Sequence, residues 1–338
     1  MDAKITKKRL GLMLSYDWIK IIAICVAAVV LWSLIFTMTA TKATMGQQFG
    51  VYGYPGVGID TDHLGDLDDL HREGGLSFDV LDYTVSTYGS RNDAGTVLSA
   101  HIPAGSADVM FTNYIDTVDD KGDEDPSNDT VTQVNGYQNF LNGYRGYCAW
   151  LGDAGTQLSG VTYTSNYFLD CENYLKRFFG EDFLHAGLDR AAAESNFRSR
   201  MKKDKRYKNE KQIQEGLEEE YARLNALRDA YRKIQGWMTD VTNGENGKPI
   251  LSVYTANVQI TEESEGQEAQ YENWTYGFDL SNVPNITYVL RNTERSGSAE
   301  GLCMSVINAG STGEEDRRYE PFTFLAYIVE LCMSRSAA

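Results

Sequence analysis

Apolar and polar residues alternate in three distinct ways along this chain. The first is an unbroken apolar run, Ile21 to Met38 (IIAICVAAVVLWSLIFTM), which carries no charge and matches a ~30 Å hydrocarbon core. Lys4, Lys7, Lys8 and Arg9 precede it, Trp18 sits at an interfacial position, and Lys20 can snorkel from its near end. The positive-inside bias predicts a cytoplasmic N-terminus over 1–18, a transmembrane anchor over 19–40 and an extracytoplasmic domain over 46–338. A cleaved signal peptide is the competing reading, since the small residues Ala40 and Ala43 follow the run. The long charged segment, the long apolar stretch and the lack of a clean A-x-A site favour an uncleaved anchor.

The second pattern interleaves short strands with helices. GQQFGVYGYP reads as a strand ending at Pro55, Asp62 to Arg72 as a helix stopped by Gly74-Gly75, and LSFDVLDYTVSTY as a strand. Ser90, Asn92 or Asp93 can cap a helix that Pro103 and Gly105 close, and ADVMF is a compact buried strand. This β-α-β-α-β order predicts a parallel or mixed sheet flanked by helices. Asp116 to Asn135 is acidic and turn-rich, which predicts a surface loop. Tyr137 to Ser165 is dense in Gly, Tyr and Asn.

The third pattern is helical, from Cys171 to Trp237. Ile213, Leu217, Tyr221, Leu224, Leu227, Tyr231 and Ile234 recur at spacings of three and four and form one apolar stripe. The break at Gly244 to Pro249 ends it. PILSVYTANVQI and GLCMSVINA are strand candidates separated by the acidic TEESEGQEAQ, and PFTFLAYIVELCM is a closing helix with Pro321 at its start.

Composition narrows the function classes. The chain has 338 residues, 31 Lys+Arg against 48 Asp+Glu and a net charge of −17, which argues against a nucleic-acid partner. Hydrophobic residues at 42% are enough for a sizeable core, so wholesale disorder is excluded. Four His residues argue against a multi-histidine metal enzyme, and neither a metal nor a cofactor is expected. Beyond the apolar run, Cys148, Cys171, Cys303 and Cys332 allow three disulfide pairings or four buried thiols, and their spacing does not choose. G-x-S-x-G, H-E-x-x-H, P-loop and G-x-G-x-x-G motifs are all missing, so no catalytic residue is assigned and a non-enzyme is expected. Asp60-x-Asp62 with Gly65 and Asp66 fails the calcium-loop template, because Leu64 and His71 stand where oxygen ligands belong. The basic patch Lys202, Lys203, Lys205, Arg206 and Lys208 reads as a solvated face or an anion contact.

Three segments together carry a resemblance: VLSAHIPAGSADVMF (Val97 to Phe111), FRSRMKKDKRYKNEKQIQEGLEEEYARL, and YGFDLSNVPN followed by YEPFTFLAYIVE. The chain resembles the extracellular solute-binding proteins of ABC importers, with the second segment similar to tethered Gram-positive members. The resemblance implies a bilobal, type 2 periplasmic-binding-protein-like α/β ectodomain. Lobe 1 would span about 46–113 and 250–338, and a helix-rich lobe 2 about 114–249. It also implies capture of a small solute for an ABC permease, and the abundance of Tyr and Asn tilts the candidate class toward oligosaccharide. A binding-protein-like surface interaction or scaffold protein is the alternative, and a glycan hydrolase the third reading.

Seven residues are candidate ligand contacts. Asn92 and Asp93 stand at a helix start after a strand, where capping is the simpler role. Asn113 and Tyr114 follow the buried strand, and open α/β sheets place ligands at strand carboxyl ends. Trp150, Trp274 and Tyr276 offer flat rings for sugar stacking, although in a chain with 21 Tyr most aromatics serve the core.

Overall fold

The computed structural model describes residues 7–39, 43–119, 130–204, 206–241, 247–261, 268–307 and 315–335. The chain divides into two compact units, Met1–Lys42 and Ala43–Ala338. The first unit is the helix α1 (Lys7–Thr39). Its window Trp18–Ile35 has a mean hydropathy of 2.5 and is fully exposed, so the helix is long and apolar enough to span a membrane or act as a signal anchor.

The second unit is a mixed α/β fold. In chain order it contains β1 (Gln48–Gly53), β2 (Val57–Ile59), α2 (Thr61–Leu64), α3 (Leu67–Arg72), β3 (Asp82–Thr87), α4 (Arg91–His101) and β4 (Val109–Asn113). Then follow β5 (Thr117–Asp119), β6 (Thr130–Gln133), α5 (Gly136–Tyr144), β7 (Gln157–Leu158), β8 (Val161–Thr162), α6 (Tyr167–Phe179), α7 (Arg190–Arg200) and α8 (Glu210–Thr239). The chain closes with β9 (Ser252–Thr261), β10 (Gln270–Asp279), β11 (Leu290–Asn292), β12 (Leu302–Val306) and α9 (Glu320–Met333).

Six strands form one sheet in the order β3-β1-β4-β12-β10-β9. β1 runs parallel to β3 and β4, whereas β12, β10 and β9 join in antiparallel steps. Side chains alternate across it. Phe49, Val51, Val109, Phe111, Met304 and Phe278 enter one apolar cluster with α6, α8 and α9. Tyr52, Met110, Cys303, Trp274 and Tyr276 enter another with α4 and α5. The sheet is therefore the middle of three layers, buried on both faces as its parallel part requires. Residues of both expected lobes meet in these clusters. Among the described residues the other strand pairings are two-stranded ladders: β2–β11, β5–β6 and β7–β8.

Several sequence expectations change in detail. The helix expected over Asp62 to Arg72 is two, because Gly65 breaks it at φ 89° and Asp60 and Asp66 cap the pieces. Of the carboxylates that fall on the calcium-loop template, Asp60 and Asp66 are thus helix caps and Asp62 lies in the first turn of α2. The strand expected from Leu76 begins only at Asp82, since Asp79 is drawn into an ionic cluster. The expected loop 116–135 contains β5 and β6, with 120–129 outside the described residues. All five cysteines are free, and Cys148, Cys171, Cys303 and Cys332 are buried. They act as small apolar side chains.

The cluster joins three arginines to four carboxylates. Arg200 pairs with Asp79 and Glu220, Arg206 with Asp79 and Asp204 at 2.8 and 2.7 Å, and Arg223 with Glu220 at 2.9 Å and Asp316 at 3.8 Å. Arg206 is thus turned inward from the basic patch, where Lys202 and Lys208 are exposed and Lys205 lies outside the described residues. Burial alone would raise the Asp79 carboxyl, but Arg200 and Arg223 outweigh it and hold it below the usual range. Glu220 is fully buried, so Arg223→Ala is expected to cost about 3–5 kcal/mol in urea unfolding of the full chain in nanodiscs. A cost under about 1 kcal/mol would show that the pair is solvated.

Asp108, just before β4, accepts the Gly50 N–H at 2.9 Å and faces Arg317 at 3.5 Å. Burial pushes its carboxyl up to about 6, against the opposing pull of Arg317 and the Gly50 N–H. Between about pH 4 and 6 the folded chain holds a proton there that the unfolded chain has released, so this group's contribution falls as pH rises. Asp108→Asn is expected to remove that fall, making its stability difference from wild type grow by roughly 2–3 kcal/mol across the window. A difference independent of pH would contradict the raised value.

Candidate functional site

β1 and β4 lie side by side and parallel, but their connections leave in opposite directions. The chain leaving β1 reaches β3 on one side, while β4 leads on toward the far half of the sheet. Divergent connections leave a crevice at the strand carboxyl ends, the usual ligand position in open α/β sheets.

A solvent-open crevice of about 450 Å³ occupies this end of the sheet. Pro55 and Gly56 line it after β1, Gly89 and Ser90 from the turn between β3 and α4, Arg91 and Asn92 from the start of α4, and Thr293 and Glu294 from the turn after β11. Backbone bonds fix these pieces: Tyr54 N–H donates to the Phe111 carbonyl at 2.8 Å, and Thr293 N–H to the Gly56 carbonyl at 2.9 Å. Gly56 has φ 98°, and a Cβ there would lie 2.3 Å from Asn113 Nδ2 and 2.8 Å from the Glu294 carboxyl carbon. Only glycine allows the turn to pass that close.

The polar groups are of three kinds. Ser90 caps the eleven-residue α4, accepting the Asp93 N–H at 3.2 Å and donating to the Asp93 carboxylate at 2.7 Å. The first N–H groups of α4 have no intrahelical acceptor and carry the positive end of the helix dipole. Arg91 donates to the Val134 carbonyl at 2.7 Å, and Glu294 supplies the one carboxylate in the lining. Beneath lies Asn113, fully buried. Its Nδ2 donates to Glu294 Oε2 at 3.1 Å, and its Oδ1 has no partner among the described residues. This arrangement offers hydrogen bonds and opposite charges.

The structure brings only part of the sequence-predicted set together. Asn92 lines the crevice and Asn113 supports it through Glu294. Asp93 is exposed and engaged locally with Ser90. Tyr114 lies outside the lining: its ring stacks on Tyr254 at 3.9 Å and its hydroxyl meets Ser281 Oγ at 3.1 Å. Trp150, Trp274 and Tyr276 are 6%, 3% and 1% exposed. Trp150 packs against Tyr163 and Tyr276, and the Arg145 guanidinium covers the Trp274 ring at 4.5 Å. Tyr276 shares a 2.6 Å hydrogen bond with Tyr163. These rings are packed in the core and lie outside the crevice lining. Asn92 is the one lining residue among the sequence-predicted contacts, and Thr293 and Glu294 are the least foreseeable of the rest, since they arrive from a short polar turn some 200 residues beyond Asn92.

The chain matches no protein-family model, and comparisons with curated proteins and with solved structures return no match either.

Because Trp150 is a core residue, Trp150→Ala is expected to cost about 3–5 kcal/mol in urea unfolding. An unchanged midpoint would mean that the ring is not packed as described.

Proposed function

We propose that the chain is a membrane-tethered extracytoplasmic solute-binding protein that holds a small polar solute at the carboxyl-edge crevice for an ABC importer. The observation that carries this reading is the crevice itself. It sits where the connections of β1 and β4 diverge, beside the first turn of α4, with Glu294 and Asn113 on its other side. α1 serves as the anchor, with the basic N-terminus in the cytoplasm.

In this reading the six-stranded sheet is the counterpart of the first lobe of a bilobal type 2 fold, and the helix-rich 114–249 the counterpart of the second. Binding involves no covalent chemistry. A solute acceptor group meets the α4 N–H groups, and a solute donor meets Glu294. Glycoside hydrolysis has less support, because it needs two carboxylates across the bond and the lining holds one. With Trp150, Trp274 and Tyr276 buried, the tilt toward an oligosaccharide over other polar solutes rests on the abundance of Tyr and Asn.

The test is a calorimetric and thermal-shift panel on the full chain in nanodiscs, against mono- and oligosaccharides, amino acids and short peptides. A bound solute at one hundred times its dissociation constant adds about 2.7 kcal/mol of stability. Asn92→Ala and Glu294→Gln are surface changes, and each is expected to weaken binding at least several-fold while leaving the unliganded melting point in place. A flat panel on folded protein would favour the surface-interaction reading, and full affinity in both variants would move the site elsewhere.

A further inference from the structure

A second cavity, of about 300 Å³, lies on the opposite layer of the fold and plays no part in the crevice. Its wall on α8 is a single helical face: Glu219, Ala222, Arg223, Ala226 and Leu227 follow the three-and-four spacing. Leu76, Ser77 and Phe78 form the second wall, and Tyr319, Glu320 and Thr323 at the start of α9 form the third. The space exists because two alanines stand where an apolar helix face usually carries larger side chains. Leucine at either position would project into it.

Its charge is unbalanced. The three arginines nearby are met by Asp79, Asp204, Glu220 and Asp316. Arg223 is also saturated by hydrogen bonds to Tyr174 and the Asp316 carbonyl, both at 2.7 Å. Glu219 and Glu320 have no ion-pair partner among the described residues. Glu320 is 4% exposed, and its Oε2 accepts the Ser77 N–H at 3.0 Å, while no hydrogen bond among the described residues uses Oε1. Glu219 stands at the exposed rim, its carboxyl raised by burial and by Asp79 and Glu215 against the pull of Arg206 and His71. His71 completes the polar lining, with Nε2 3.0 Å from the Val80 carbonyl. Two carboxylates that form no ion pair among the described residues, beside Leu76, Phe78, Leu227 and Tyr319, describe a receptor for one chemical class.

We propose that this cavity binds a small protonated amine carried on an aromatic or branched apolar body, with the ammonium between Glu219 and Glu320 and the body against Phe78 and the alanine face of α8. Desolvating the apolar body drives entry, and the ammonium supplies an ion-pair partner for both carboxylates.

The test is isothermal titration of the full chain in nanodiscs with phenethylamine, 2-phenylethanol and phenylacetate. Phenethylamine is expected to bind at least tenfold more tightly than the alcohol, with phenylacetate weakest. Glu219→Gln is expected to weaken the amine at least fivefold, and Ala226→Leu to abolish its binding with the melting point retained. If Ala226→Leu does not fold, Ala222→Leu on the exposed side of the same face tests the same filling. Asn92→Ala in the crevice is expected to leave amine binding unchanged, which separates the two sites. Equal binding of amine and alcohol, unchanged amine binding in the folded cavity-filled variant, or no amine binding by wild type would each overturn the proposal.

Discussion

The fold depends on the buried ionic cluster around Arg223. Arg200 at the end of α7, Arg206 in the corner that follows and Arg223 on α8 converge on carboxylates from three distant segments. They tie the turn before β3, the α7–α8 pair and the approach to α9 into one layer against the sheet. An ion pair placed this deep gains little over a well-packed apolar contact, but removing one member leaves a charge stranded. The cluster therefore specifies how the pieces meet more than it adds stability. It has a second effect: with Arg200, Arg206 and Arg223 engaged by Asp79, Asp204, Glu220 and Asp316, Glu219 and Glu320 in the adjoining cavity form no ion pair among the described residues.

The elements legible in the sequence were those whose pattern survives packing unchanged. α4 was announced by its cap and by the Pro103–Gly105 stop, β4 and β12 by compact apolar runs, and α9 by Pro321 and its apolar face. β10 was not, because a register irregularity between Trp274 and Gly277 breaks its two-residue alternation and a run of five residues is buried. The β3 boundary was misplaced for an electrostatic reason. Nothing in the local pattern of LSFDVL shows that Asp79 will be captured by arginines more than 120 residues away.

The crevice was partly legible for the same reason. Asn92 and Asn113 could be placed because strand ends and helix starts are local features. Their companions could not, because Glu294 reaches Asn113 through a turn that only the closed fold brings near. The aromatic candidates went the other way. Composition reveals that a chain is rich in rings, but whether a ring is a platform or a core residue depends on what covers it. Here Tyr163, Arg145 and the neighbouring rings do so.

Two chemically different pockets thus sit on opposite layers of one sheet: an open polar crevice at the strand ends and a mostly apolar cavity with an acidic lining beside α8. In the proposed function the open crevice is the one that holds solute. Hydrogen–deuterium exchange of the full chain in nanodiscs, with and without the saccharide, amino-acid and peptide panel, addresses it most directly. The account predicts slowed exchange confined to 54–56, 88–94 and 292–295. Slowing centred instead on 150–163 and 274–276, or none at saturating solute, would contradict it.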